Sequence, residues 1–180
     1  TWDEYIEIAT FFNGRDWNFD GNPQYGVAEA YQRGGYAFWW WWNKFVSLGG
    51  LPFDSNLKPL INSATGVKAL EYAIAASKLA PPGVSNYGYP ELENAFINGD
   101  IPMVIQWSST GKAAMDPNRS SIVNNVGVVL TPGVQVGQEI VRRTVMPTGW
   151  TMGIPKYAKN KDLAIKVIEI LSRYENALSI

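Results

Sequence analysis

Cysteine and histidine are both missing from this 180-residue chain. That double absence excludes thiol nucleophiles, disulfides, Cys/His zinc sites and histidine-based triads together. Charge is scarce as well, at 17% of residues against the roughly 25% usual in soluble domains. The net charge is −1 and Lys and Arg never form a run, so nucleic acid and anionic membrane are poor candidates for partners. No apolar stretch approaches the ~20 residues of a membrane span.

Aromatics are the surplus, at 13% of residues. Four tryptophans stand in a row, Trp39-Trp40-Trp41-Trp42. On a helix, consecutive positions point about 100° apart, so one core face cannot take all four. Phe38, Trp41, Phe45 and Leu48 form an apolar stripe, which assigns Trp41 to the core. Trp39, Trp42 and Val46 form a second stripe. Trp40 shares its face with Tyr36, Lys44 and Ser47, an otherwise polar set. Trp39, Trp40 and Trp42 are therefore the candidates for a ligand cleft, because exposed indoles are a liability unless they bind something.

The rest of the chain reads as mostly helical. Thr1 is an N-cap acceptor for a helix to about Phe12, with Tyr5, Ile8, Ala9 and Phe12 on its inner face. A natural chain rarely starts at a cap, so the expectation is a piece of a longer protein. Val27–Arg33 reads as a short helix, and Gly49-Gly50 stops the tryptophan helix. Ser63 caps a helix to about Leu79, with Val67, Leu70, Ile74 and Ser77 near one face. Pro90–Asn98 and Lys161 to about Tyr174 are further helices. Ile101–Trp107, Val126–Leu130 and Thr148–Ile154 read as strands. Three strands make a thin sheet for so many helices, which places partner strands outside this sequence.

Asp16-Trp17-Asn18-Phe19-Asp20-Gly21 matches the first half of a calcium loop. Its twelfth position would be Val27, which has no carboxylate, so a bare Asx/Gly turn is the better account of Asp16, Asn18 and Asp20. No cofactor or metal is expected. Glu91 and Glu93 are close in sequence but diverge on a helix, and nothing marks a catalytic carboxylate pair.

Several segments, in order, resemble family-1 extracellular solute-binding proteins, the sugar receptors of ABC importers. They are Thr1-Trp2-Asp3-Glu4, Phe45-Val46-Ser47-Leu48-Gly49-Gly50, Asn62-Ser63-Ala64-Thr65-Gly66-Val67-Lys68-Ala69-Leu70, Ala95-Phe96-Ile97-Asn98-Gly99-Asp100-Ile101-Pro102-Met103 and Gly149-Trp150-Thr151-Met152-Gly153-Ile154-Pro155, then Asn160-Lys161. Pro102 departs from the alanine usual there. The resemblance implies an α/β, helix-rich lobe of a two-lobed periplasmic-binding-protein-like fold, with a small, incomplete sheet. Residues 1–132 would be most of the second lobe. Residues 133–180 would carry a hinge-crossing strand and a helix joining the first lobe.

The resemblance also implies an extracytoplasmic, monomeric receptor, periplasmic or a cell-surface lipoprotein, that hands a neutral saccharide to a membrane permease. Sugars are recognised by rings to stack on and by planar polar groups that fix hydroxyls. The family register favours Trp39 and Trp42 for stacking, whereas the polar neighbours favour Trp40. Tyr89 falls on a cleft-lining aromatic position, Gln106 and Trp107 on a cleft-facing strand end, and Trp150 on the crossing strand. Two other classes compete with this reading: a carbohydrate-active enzyme such as a glycosidase, and a protein-interaction module anchored by tryptophans.

Overall fold

The computed structural model describes residues 1–143 and 151–177. The chain divides into two compact units, Thr1–Met146 and Pro147–Ile180. The first contains five α-helices among its described residues: α1 (Trp2–Phe12), α2 (Gly35–Ser47), α3 (Ala64–Ser77), α4 (Tyr89–Ile97) and α5 (Ser108–Ala114). A 3₁₀ turn at Val84–Asn86 precedes α4, and β1 (Val134–Val136) and β2 (Glu139–Val141) close the unit.

Capping sets the helix starts as the sequence implies. Thr1 Oγ1 accepts the Glu4 N–H at 3.2 Å, while the Glu4 carboxylate takes the Thr1 amine at 2.7 Å. Ser63 Oγ accepts the Gly66 N–H at 3.3 Å and opens α3. The buried faces are a different matter. On α1 the inner residues are Trp2, Tyr5 and Ala9, whereas Ile8, expected inside, is exposed. On α3 the buried face is Gly66, Ala69, Tyr72, Ala73 and Ala76. The expected face is rotated outward, with Val67, Leu70 and Ile74 all exposed.

Close approach explains the choice on α3. A Cβ on Gly66 would lie 2.0 Å from the Ile61 carbonyl oxygen, and the Gly66 carbonyl accepts the Trp41 indole N–H at 3.1 Å. Small residues let the backbones meet; the larger aliphatics are left on the far side.

Val27–Arg33 is not helical. Val27, Ala28, Glu29 and Ala30 are all fully buried, and a stretch with every successive side chain inside, one of them a paired carboxylate, suits an interior segment better than an amphipathic helix. Its backbone is held by Leu79, whose carbonyl accepts the Val27 N–H at 3.4 Å and that of the preceding Gly26 at 2.9 Å, and by Tyr87, whose carbonyl accepts the Gln32 N–H at 2.9 Å.

The strands also differ from expectation. Ile101–Trp107 and Val126–Leu130 join no ladder among the described residues, and Val128 and Val129 are almost fully exposed. The one sheet described is the antiparallel hairpin β1–β2, paired Val134↔Val141, Gln135↔Ile140 and Val136↔Glu139. Gly137, at φ +61°, supplies the left-handed turn that a two-residue hairpin loop requires. Of Thr148–Ile154, residues 148–150 lie outside the described residues and 151–154 form no strand. The second unit contributes α6 (Lys161–Leu171) and α7 (Tyr174–Ala177). The helix expected to reach Tyr174 ends at Leu171, where Ser172 caps it.

A buried ion pair binds the helices of the first unit. Lys44 Nζ lies 2.6 Å from Glu29 Oε2, and both side chains are essentially inaccessible. Tyr5 donates to Glu29 Oε1 at 3.1 Å and Tyr31 to Oε2 at 2.6 Å. Tyr31 also lies 2.7 Å from the Ala73 carbonyl, and the Lys44 ammonium sits over the Trp2 ring at 4.9 Å. Trp2 in turn donates its indole N–H to Ser47 at 2.9 Å.

Removing one partner of such a pair leaves an uncompensated charge in the interior. Lys44→Met in the full-length protein is expected to cost about 3–5 kcal/mol in urea unfolding. The Lys44→Met/Glu29→Gln double variant should recover a substantial part of that loss. Burial, helped by the Glu29 carboxylate, also pushes the Tyr5 and Tyr31 phenols well above their ordinary range. A raised folded pKa gives stability that is complete below the unfolded value near 10 and is lost as pH rises beyond it. Stability should therefore fall between pH 10 and 11.5, and Tyr31→Phe should make that slope shallower by about 1.4 kcal/mol per pH unit.

Candidate ligand-binding site

Helix α2 is turned by its polar residues. Trp40, Asn43, Lys44 and Ser47 form its buried stripe, together with Phe45. Trp40 is 6% exposed, so it belongs to the interior, and Trp41, expected there, is only half-buried. The reason lies in the partners: Lys44 and Ser47 find Glu29 and Trp2 inside, so the face that reads as polar is the one that packs.

This rotation sends the aromatics of α2 two ways. Trp39 and Trp40 meet Trp107 edge-on, each with ring centroids 5.7 Å away. Tyr89, at the start of α4, joins the same ring at 5.6 Å, and Tyr36 backs Trp39 at 5.7 Å. Trp42 goes to the other side, against Phe38 at 5.4 Å and Phe45 at 5.7 Å. Trp39, Trp40, Tyr89, Gln106 and Trp107 are thus brought together; Trp42 is not. Trp150 lies outside the described residues.

Trp107 is the hub, and it stands where an extended segment enters α5 as that helix's N-cap residue. Trp39, Tyr89 and Trp107 are each half-buried, which leaves ring surface open to a ligand. Two donors at this cluster are unsatisfied: the Trp40 Nε1 and Gln106 Nε2 atoms are buried with no hydrogen-bond partner. Gln106 Oε1 is committed to the Trp107 N–H at 3.0 Å. A buried orphan donor costs about 1–3 kcal/mol until something accepts from it.

A carboxylate network supports Tyr89 from behind. Glu93 Oε2 accepts from the Tyr89 hydroxyl and, at 3.1 Å, from Thr110. Glu93 Oε1 takes the Arg119 guanidinium at 2.7 Å. Burial works to raise the Glu93 pKa, but the Tyr89, Arg119 and Thr110 donors outweigh it and hold the carboxyl below its ordinary value. Tyr36 and Glu93 are the additions to the expected set. Both carried a sequence signal, since Tyr36 lies three and four residues before Trp39 and Trp40, and Tyr89 and Glu93 are one helical turn apart. Thr110 and Arg119 come from distant sequence and carried none.

The carboxylates elsewhere serve local structure. In the 16–21 loop, Asp16 accepts the Asp20 and Gly21 N–H groups at 3.0 Å each. Asp20 accepts the Asn22 N–H at 2.8 Å, and that backbone bond leads the lowering of its pKa. Val27, the twelfth position of the calcium-loop pattern, is fully buried. Among the described residues no three acidic side chains gather around a common point. Glu91 accepts the Gly88 N–H at 2.9 Å and closes the α4 N-terminus. Among the described residues no helix is long and apolar enough to cross a membrane.

Comparison with known structures gives the class of fold. An ABC transporter solute-binding protein from Agrobacterium radiobacter K84 in complex with ribitol matches with a TM-score of 0.80 and 26% identity, over 98% of this chain and 43% of that one. Maltose-bound T. maritima MalE3 matches with a TM-score of 0.77 and 26% identity, over 98% and 44%. A D-mannitol-bound solute-binding protein from Agrobacterium vitis S4 shares the fold at 22% identity and a TM-score of 0.76, over 97% and 40%. The fold is that of the periplasmic binding proteins, seen here as a helix-rich part with a small sheet.

The family follows from the sequence itself. A model of the bacterial extracellular solute-binding proteins matches residues 1–177, and the chain belongs to that family. It is also 24% identical over 176 residues to the mannitol-binding protein of Pseudomonas aeruginosa, covering 91% of this chain and 36% of that protein. The family consists of solute-binding proteins, which sets the glycosidase alternative aside. The chain spans less than half the length of these relatives, from 36% to 44%.

Proposed function

We propose that this chain supplies one wall of the ligand cleft in the substrate receptor of an ABC importer, and that the ligand is a neutral polyol or saccharide. The observation that carries this reading is the gathering of Trp39, Trp40 and Tyr89 around Trp107 beside two unsatisfied donors. Ring faces suit the C–H-rich side of a carbohydrate, and the Tyr89 and Ser109 hydroxyls at the open edge suit its hydroxyl groups. Among the described residues of this cluster the Glu93 charge is paired with Arg119, which disfavours an ionic ligand.

The relatives point the same way. Mannitol, ribitol and maltose appear in the names of three of them, and all are neutral and rich in hydroxyls. The receptor would act as a monomer outside the cytoplasm, periplasmic or held as a cell-surface lipoprotein. Closure of its lobes on the ligand would signal occupancy to a membrane permease.

Titration of the full-length protein with ribitol, mannitol and maltose, followed by tryptophan fluorescence and calorimetry, tests the reading. At least one should bind saturably. Silence across these three and a wider panel of neutral sugars would remove it. Trp107→Ala should weaken the best ligand by about 1–3 kcal/mol, as loss of an aromatic anchor does. An unchanged dissociation constant would take Trp107 out of the site.

A further inference from the structure

We propose that Glu93 is a positioning residue that fixes Tyr89 as a hydrogen-bond acceptor, so that the site demands a ligand hydroxyl able to donate. The inference rests on the polyol or saccharide reading above. It goes further by assigning the sense of one hydrogen bond and the residue that sets it.

A phenol carries a single proton. Tyr89 spends that proton on Glu93 Oε2. An ionised carboxylate only accepts, so the direction of this bond cannot reverse while Glu93 is charged. The carboxylate is kept charged by its surroundings: Thr110 donates to the same oxygen at 3.1 Å and Arg119 grips the other at 2.7 Å. Glu93 is 7% exposed, so bulk water does not compete for these positions. The Tyr89 oxygen is left with lone pairs alone, and the Ser109 hydroxyl 3.1 Å away can donate into one of them. Ser109 is exposed and Tyr89 half-buried, which places the free side of that oxygen at the open edge of the aromatic cluster.

The neighbouring donors of the cluster, Gln106 Nε2 and Trp40 Nε1, are buried beneath the rings. At the open edge a ligand therefore meets Tyr89 as an obligate acceptor. A hydroxyl group can donate to it. A carbonyl, an ether oxygen or a fluorine leaves it unpaired. A site built to bond a hydroxyl rejects the analogue that lacks its proton more sharply than an apolar pocket rejects a change of shape.

Glu93→Gln tests the assignment, because its amide can donate to the phenol and release the Tyr89 proton toward the ligand. The readout is a ratio. Calorimetry on the full-length protein compares the best-binding polyol or sugar with its monodeoxyfluoro analogues, position by position. In the wild type one position should show about tenfold or greater loss on fluorination. Tyr89→Phe, which keeps the ring on Trp107, should reduce that loss to about twofold, and Glu93→Gln should narrow it while the parent still binds. Loss of stability or packing alone would weaken parent and analogue in the same proportion.

Tyr89→Phe with the wild-type ratio intact would overturn the proposal. So would Glu93→Gln with proportionate weakening of both ligands. If Glu93→Gln does not fold, the Tyr89→Phe ratio and Arg119→Gln, which loosens the carboxylate and should also narrow the ratio, decide it. A wild-type protein that binds none of the parents would fail the functional reading itself, a result distinct from binding with an unaltered ratio.

Discussion

The Lys44–Glu29 ion pair is the constraint on which the first unit depends. Two full charges in the interior are tolerable only when geometry and further hydrogen bonds compensate their lost hydration. Here the compensation comes from separate parts of the chain. Tyr5 reaches in from α1, Lys44 from α2, Tyr31 and Glu29 from the interior segment, and Tyr31 carries the link on to the Ala73 carbonyl of α3. None of these elements can rotate or slide without leaving a buried charge or phenol unpaired. The pair adds little to stability compared with an apolar replacement, but it penalises every other packing of these helices.

The rotation of α2 is the consequence that reaches the candidate site. With Lys44 and Ser47 held inward, Trp40 must follow them into the interior and Trp39 must lie at its margin. Trp41 and Trp42 are carried to the opposite flank with Phe38 and Phe45. The site geometry therefore descends from an ion pair whose members touch none of the site's rings except through the helix they share. Trp107 completes the arrangement from a distant segment and gives Trp39 and Trp40 a common partner.

This explains which parts were legible in the sequence. Helix starts were readable because capping is local: Thr1 with Glu4 and Ser63 with Gly66 need only three residues of context. The facing of the helices was not. Hydrophobicity assigns Trp41, Ile8, Val67, Leu70 and Ile74 to the interior, yet the interior takes Trp40, Lys44 and a run of small residues on α3. Buried polar groups are decided by partners far along the chain, such as Glu29 for Lys44. Close helix contacts select Gly and Ala over larger aliphatics, a preference that a periodicity argument inverts. The strands failed for a related reason. Ile101–Trp107 and Val126–Leu130 have strand composition, but pairing is a property of two segments, and no partner for either lies among the described residues. The 134–141 hairpin is largely exposed and only three residues to a strand, too short for an alternating pattern to stand out, and it depends on one glycine turn.

The candidate site was more legible than the fold around it, because stacking aromatics announce themselves by composition. Trp39, Trp40, Tyr89, Gln106 and Trp107 come from three separate stretches and still meet. Their chemistry also fits the low charge of the chain. A neutral hydroxylated ligand is held by many weak, directional bonds, each with a definite donor and acceptor, and by dispersion against ring faces. Free charges near the rings would favour water or ions over such a ligand. Glu93 is the exception that obeys the rule: its charge is neutralised by Arg119 and spent on two hydroxyls.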